Sequence, residues 1–176
     1  LEPSSAASDV YKRQIIDSIN KKFGLSKQKP KFKGLLTTGI IGNEKVYAIK
    51  PLTFMNNSGI CIRELIEYFK IDAGDVIVFH DDLDVEFGKV KAKFGGSSAG
   101  HNGVASIDKF IGKDYSRVRI GIGKPKGAIE VADYVLQNFD DDESQGVEKI
   151  SQQITDSISI LVEKKLDLFS STVNNK

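Results

Sequence analysis

From Ile15 onward the apolar positions fall into regular periods. Ile15, Ile16, Ile19 and Phe23 recur at helical spacing, and Gly24 follows where a helix C-terminus favours a residue tolerant of positive φ. The spacing predicts a short helix over 15–23, or the tail of a longer one. Phe32 to Ile41 and Lys45 to Lys50 are β-rich runs separated by Gly42-Asn43, a pair suited to a tight hairpin turn. Pro51 ends the second run and opens the loop Leu52-Thr53-Phe54-Met55-Asn56. Beyond that loop, Ile62, Leu65, Ile66 and Phe69 make one apolar stripe of a helix that starts near Asn57 or Ser58, both favourable N-caps.

The run Val76-Ile77-Val78-Phe79 has the continuous apolar character of a strand buried on both faces, and it ends in Asp81-Asp82-Leu83-Asp84. Next, Lys89, Lys91 and Lys93 alternate with Val90, Ala92 and Phe94, which places three ammonium groups on one strand face and apolar groups on the other. A glycine-rich loop, 95–100, leads through His101-Asn102-Gly103 into a helix carrying Val104, Ile107 and Ile111. Arg117 and Arg119 against Val118, Ile120 and Ile122 repeat the basic-out, apolar-in alternation in a later strand. Val147, Ile150, Ile154, Ile158 and Leu161 mark a last long helix. Strands alternating with helices predict an α/β fold, a mixed and mostly parallel sheet with helices on both faces, and there is no internal repeat.

Length and composition narrow this picture. At 176 residues the chain fits one domain rather than two. With 40% hydrophobic and 28% charged residues, and no apolar run long enough to span a bilayer, the sequence gives no sign of a membrane partner. Cys61 is the only cysteine, which excludes an intrachain disulfide and a thiolate metal cluster and favours a reducing, cytoplasmic setting. The net charge of +1 excludes nothing by itself, so segregation of the charges is what matters. Residues 1–14 begin with leucine, lack apolar periodicity and are rich in serine and alanine. They are read as a foreign or disordered leader, with one domain over 15–176.

Three segments carry candidate chemistry: 54–59, 80–84 and 95–103. In an open α/β sheet, ligands bind beyond the strand C-termini, where all three lie on this reading. Each alone has an ordinary explanation. The aspartates suit a solvated turn, the glycine loop lacks the Lys-Ser/Thr of a phosphate loop, and Phe54 and Met55 suit a core.

As an ordered set they are more specific. Thr53-Phe54-Met55-Asn56-Asn57-Ser58-Gly59, Val78-Phe79-His80-Asp81-Asp82-Leu83-Asp84, Gly95-Gly96 to His101-Asn102-Gly103, and Arg117-Val118-Arg119-Ile120-Gly121-Ile122-Gly123-Lys124-Pro125 resemble the motif series of bacterial-type peptidyl-tRNA hydrolases. The resemblance covers the chain from Ile15 and is strongest between Pro51 and Pro125. It implies cleavage of the ester between a peptide and the terminal ribose of tRNA, by a monomer, with no cofactor and no metal. It also implies that Asp81 is the carboxylate that orients the catalytic histidine. Asn56 and Asn102 are then amides contacting the substrate, Phe54 lines the groove, and His101 supports it by hydrogen bonding. An amide donates and accepts without titrating, which suits a site where only an imidazole should change charge.

The same resemblance exposes a gap. The family opens with a strand, a Gly-x-x-Asn-Pro-Gly turn, and Thr-Arg-His-Asn at the start of the first helix. Here Asp9-Val10-Tyr11-Lys12-Arg13-Gln14 stands instead, and Tyr11 is not that family's tyrosine. Neither His80 nor His101 matches the family base, so slow turnover is expected, as is an apolar slot beside Val76 to Phe79 where the first strand is missing. Lys89, Lys91, Lys93, Arg117, Arg119, Lys124 and Lys126 are expected to form a basic surface for the tRNA backbone. Two rival readings are a catalytically silent RNA-binding relative of the same fold and a magnesium-dependent phosphotransfer enzyme using Asp81, Asp82 and Asp84.

Overall fold

The computed structural model describes residues 7–53, 57–123 and 141–175, and of residues 7–11 the backbone alone. Its elements, in chain order, are α1 (Ala7–Lys22), β1 (Lys29–Lys31), β2 (Gly34–Ile41), β3 (Glu44–Pro51), α2 (Ser58–Phe69), β4 (Ile77–Asp82), β5 (Val90–Phe94), α3 (Asn102–Ile111), β6 (Ser116–Gly121), α4 (Asp141–Val162) and α5 (Leu166–Asn174). The mixed α/β class follows directly. The strands form two three-stranded sheets, ordered β1-β2-β3 and β4-β6-β5.

The expected mostly parallel character is corrected for the described pairings. Only β4 and β6 run parallel, while β1–β2, β2–β3 and β5–β6 are antiparallel. The reason is local connectivity: two of these pairs are joined by tight turns, which only antiparallel neighbours permit. Gly42, at φ +63°, makes the predicted β2–β3 turn, with Ile41 opposite Glu44. The first hairpin was not anticipated. Phe32 and Lys33 both have positive φ (54° and 57°), so the residues assigned to the start of a strand form a turn between Lys31 and Gly34. Positive φ is unusual for such side chains. The turn is held because the Lys33 carbonyl accepts from Leu52 N at 2.9 Å and the Phe32 ring packs on Tyr68 and Phe69.

Helix α1 is described over Ala7–Lys22, so 15–22 is the tail of a longer helix, and it ends as expected before Gly24. Ile15 and Ile19 of α1 share one core with Ile41, Val90, Val118, Ile120, four residues of α4 (Ile150, Ile154, Ile158, Leu161), and Phe169 and Val173 of α5. Helices α2 and α3 pack on each other outside that cluster. Their approach requires Gly59: a Cβ there would lie 2.2 Å from the Ser106 carbonyl oxygen, and Gly59 N donates to Ser106 Oγ at 2.9 Å. The start of α2 is thereby fixed against the middle of α3, the helix that the glycine-rich loop enters.

Helix α5 has a second task that periodicity did not signal. Strand β5 is a sheet edge, whose unpaired amides invite aggregation. Asn174 accepts from Val90 N at 3.0 Å and donates to the Val90 carbonyl at 2.8 Å, and Ser170 Oγ accepts from Ala92 N at 2.8 Å. The side chains of a helix thus close the ladder. No described helix is long and apolar enough to cross a membrane.

Candidate active site

Strand β4 is longer at its acidic end than expected, so Asp81 and Asp82 are strand residues with opposite orientations, not a solvated turn. Asp82 closes the turn: its Oδ1 accepts from Asp84 N at 2.8 Å and its Oδ2 from Arg119 Nε at 2.7 Å. Burial would raise its pKa, but the Arg119 bond and the Asp84 amide outweigh burial and lower it. A carboxylate so committed is withdrawn from any shared magnesium site with Asp81.

Asp81 faces the other way. Its Oδ1 accepts from Lys12 Nζ at 2.6 Å and from His101 Nε2 at 3.1 Å, with all three side chains at most 15% exposed. Burial again opposes ionisation, yet the Lys12 ammonium and the His101 bond hold this carboxyl far below the usual range. Lys12, within the segment expected to be a leader, pairs with the central carboxylate.

His101 is the N-cap of α3, where its Nδ1 accepts from Val104 N at 3.2 Å. An accepting Nδ1 leaves the proton on Nε2, the nitrogen that faces Asp81. Both ring nitrogens are therefore engaged. His80 stands edge-on to His101, 5.3 Å between centroids. Its Nδ1 donates to the Asp81 carbonyl at 2.9 Å, and its Nε2 is buried with no hydrogen-bond partner. Burial, against the help of that backbone bond, lowers its pKa to about 4.

Asp81, His80, His101 and Asn102 all line one cavity of about 1620 Å³, together with Thr53 and Ser58 on either side of the 54–56 loop. Asn102, the first residue of α3, is exposed there. Phe54 and Asn56 lie outside the described residues, as do Lys124 and Lys126. Of the predicted basic surface, Lys89, Lys91 and Lys93 are exposed. Arg117 is not: it is 2% exposed, donating to Asp108 Oδ1 at 2.7 Å and to the Ser97 carbonyl at 2.9 Å, which corrects its assignment to the tRNA face. Cys61 is buried in α2, and burial, with Glu64 adding to it, pushes its thiol up to about 12, which leaves it unreactive.

A carboxylate, an imidazole bonded to it and an amide at a helix start, all lining one cavity in a mixed α/β domain, make a polar site of the hydrolytic kind. Comparison with known proteins gives the family. The family model for peptidyl-tRNA hydrolase matches residues 13–176. The chain is 78% identical over 163 residues to the peptidyl-tRNA hydrolase of Pelagibacter ubique, covering 93% of this chain and 88% of that one. It is 45% identical over 141 residues to the enzyme of a Wolbachia strain from Drosophila simulans, covering 79% and 78%. The crystal structure of the Acinetobacter baumannii peptidyl-tRNA hydrolase superposes with a TM-score of 0.87 at 27% identity, covering 98% of this chain and 88% of that one. The chain belongs to the peptidyl-tRNA hydrolase family.

Proposed function

We propose that this chain acts, as a cytoplasmic monomer, on the ester joining a peptide to tRNA, with the cluster around Asp81 as its reacting centre. The observation that carries the reading is that Asp81 of β4, bonded to His101, and Asn102 of α3 line the same cavity. Hydrolysis needs a base for water, a group to hold that base, and donors for the developing oxyanion. In this reading Asp81 is the holding group, and Asn102 a neutral contact for the substrate's ester end. Phe54 and Asn56 are assigned to the substrate groove by the family's motif alone.

The base is the weak element. The sequence holds two histidines. His101 has both nitrogens bonded, and His80 keeps an open Nε2 whose basicity burial has removed. A general base contributes roughly 10²–10⁴-fold. Turnover of peptidyl-tRNA by this chain is therefore expected at least about 100-fold below that of the Acinetobacter baumannii relative, and Asn102→Ala is expected to lower the remaining kcat/KM at least tenfold with an unchanged unfolding midpoint. Both are read by release of labelled peptide. Equal turnover by Asn102→Ala would remove the site assignment. Tight tRNA binding without any release would favour a silent RNA-binding relative.

The exposed Lys89, Lys91 and Lys93 on one face of β5 are proposed to lie along the tRNA backbone. Each phosphate contact releases counterions, so log K should fall with log salt by about 0.9 per contact. Lys91→Gln with Lys93→Gln is expected to flatten that slope by nearly two contacts' worth in a filter-binding titration. A slope identical to that of the parent would return these lysines to an ordinary solvated face.

A further inference from the structure

Cations and aromatic rings are interleaved at the end of α2 remote from the reacting cluster. Between Asp17 and Glu44 the chain carries six lysines and no acidic residue. Two of them, Lys29 and Lys31, share one face of β1, the edge strand of its sheet, by the alternation of a strand. Lys31 Nζ lies 4.1 Å from the centre of the Tyr68 ring and 5.0 Å from that of Phe32. Phe69 links these rings to Tyr47, with centroids 4.9 Å from Tyr68 and 4.1 Å from Tyr47. Tyr68 is nevertheless 61% exposed. Neither Lys29 nor Lys31 has a carboxylate partner among the described residues, whereas Lys33 is paired with Glu64 at 2.6 Å. Tyr68 lies ten residues along α2 from Ser58, about 15 Å, and neither it nor Lys31 lines the cavity that holds Asp81. Lysines and Pro30 on an edge strand guard it against aggregation. Guarding does not require an aromatic ring left in water, nor a turn with two consecutive non-glycine residues at positive φ that sets Phe32 against Tyr68.

We propose that this patch binds single-stranded nucleic acid, with a base stacked on Tyr68 and the adjoining phosphates held by Lys31 and Lys29. The occupant follows from what the patch offers together. An acidic peptide would be served by the lysines and would gain little from an exposed ring. A proline-rich peptide would use the rings and leave the cations idle. A nucleotide presents a flat π face and an anion in the same repeat, and single strands are held by that combination of stacking and backbone contact. Lys31 already sits on the Tyr68 ring by cation–π attraction, so its ammonium is held in place before a phosphate arrives. A duplex fits less well, because its bases are stacked on each other and closed to the ring. The patch belongs to a different sheet from β5, whose lysines are proposed to follow the tRNA backbone, and it does not rest on the roles given to Asp81 and Asn102.

The test titrates fluorescein-labelled hexaadenylate RNA with the whole chain and reads anisotropy. Tyr68→Ala should weaken binding at least about fivefold with the salt slope unchanged, as for the loss of a stacked base. Lys29→Gln with Lys31→Gln should weaken binding and lower the salt slope by about 1.4, at roughly 0.7 per phosphate contact on a single strand. Tyr68→Leu keeps apolar bulk against Phe32 and Phe69, so it should show the loss with an unchanged unfolding midpoint, and Tyr68→Phe should bind like the parent. In a chain that also carries Lys91→Gln and Lys93→Gln, Tyr68→Ala should cost the same factor, which marks the patch as separate from β5. Equal binding by the parent, Tyr68→Ala and Tyr68→Leu would overturn the proposal and leave only a guarded edge. So would hexaglutamate that displaces the labelled RNA as effectively as unlabelled hexaadenylate does, which would indicate an acidic peptide partner. None of these readings depends on ester hydrolysis, so the proposed function stands or falls separately.

Discussion

Asp108→Ala should lower the unfolding free energy by about 3–5 kcal/mol, because it strands a buried guanidinium. Arg117 is 2% exposed and its Nη2 lies 2.7 Å from Asp108 Oδ1, which also accepts from the Tyr115 hydroxyl at 2.8 Å. Burial and the Asp108 carboxylate both push the Tyr115 phenol up, so it stays a neutral donor. Removing the carboxylate leaves a cation and a hydroxyl without their acceptor in a region closed to water. Arg117 also donates to the Ser97 carbonyl, in the loop that delivers His101 and Asn102. The loss should therefore reach the site as faster amide exchange over 97–101.

The companion variant separates charge from packing. In Asp108→Ala with Arg117→Met no buried charge remains, and such double replacements are often neutral or stabilising. Denaturant titration of the single and double variants should show the double recovering most of the loss. A single variant within about 1 kcal/mol of the parent would mean that the pair is effectively solvated. A double variant as unstable as the single would mean that the cost is packing.

Arg117 also shows where the sequence reading stops. Alternation in Arg117-Val118-Arg119 predicts two arginines on an open strand face, but β6, the central strand of its sheet, is buried at five of its six positions, Arg117 included. Arg119 reaches Asp82 at the sheet end, and Arg117 is absorbed by α3. Strand order is non-local, and a period-two pattern does not encode it. The β2–β3 hairpin was legible because Gly42-Asn43 is a local signal. The Phe32-Lys33 turn was not, since two non-glycine residues at positive φ are stabilised by distant rings on α2. The motif order singled out Asp81, His101 and Asn102, which all line one cavity, because each sits next to a strand end or helix start that local pattern identifies. Lys12 escaped notice for the opposite reason: nothing around it is periodic, and its partner is 69 positions away.

The second large effect concerns His80 and pH. Its folded pKa, about 4, lies below the ordinary 6.5 because burial disfavours the imidazolium more than the Asp81 backbone bond favours it. The unfolded chain consequently binds more protons than the folded one between those values, so stability is fully present above pH 6.5 and falls as the pH drops toward 4. The shift corresponds to about 3 kcal/mol over that window. Asp81 also has a depressed pKa, held down by Lys12 and His101 against burial, so its contribution is lost only below the ordinary carboxylate value near 4 and does not overlap.

His80→Gln keeps an N–H donor for the Asp81 carbonyl and removes the titration. Urea midpoints of the parent should decline from pH 7 to pH 4.5, and those of His80→Gln should decline by clearly less, whatever its stability at pH 7. Parallel declines would place the titrating group elsewhere and would leave the buried Nε2 without energetic consequence. A flatter variant curve would establish that His80 is held neutral at working pH. That neutrality has a purpose in the geometry: with the rings 5.3 Å apart, an imidazolium at His80 would compete with His101 and Lys12 for Asp81, the one anion they share.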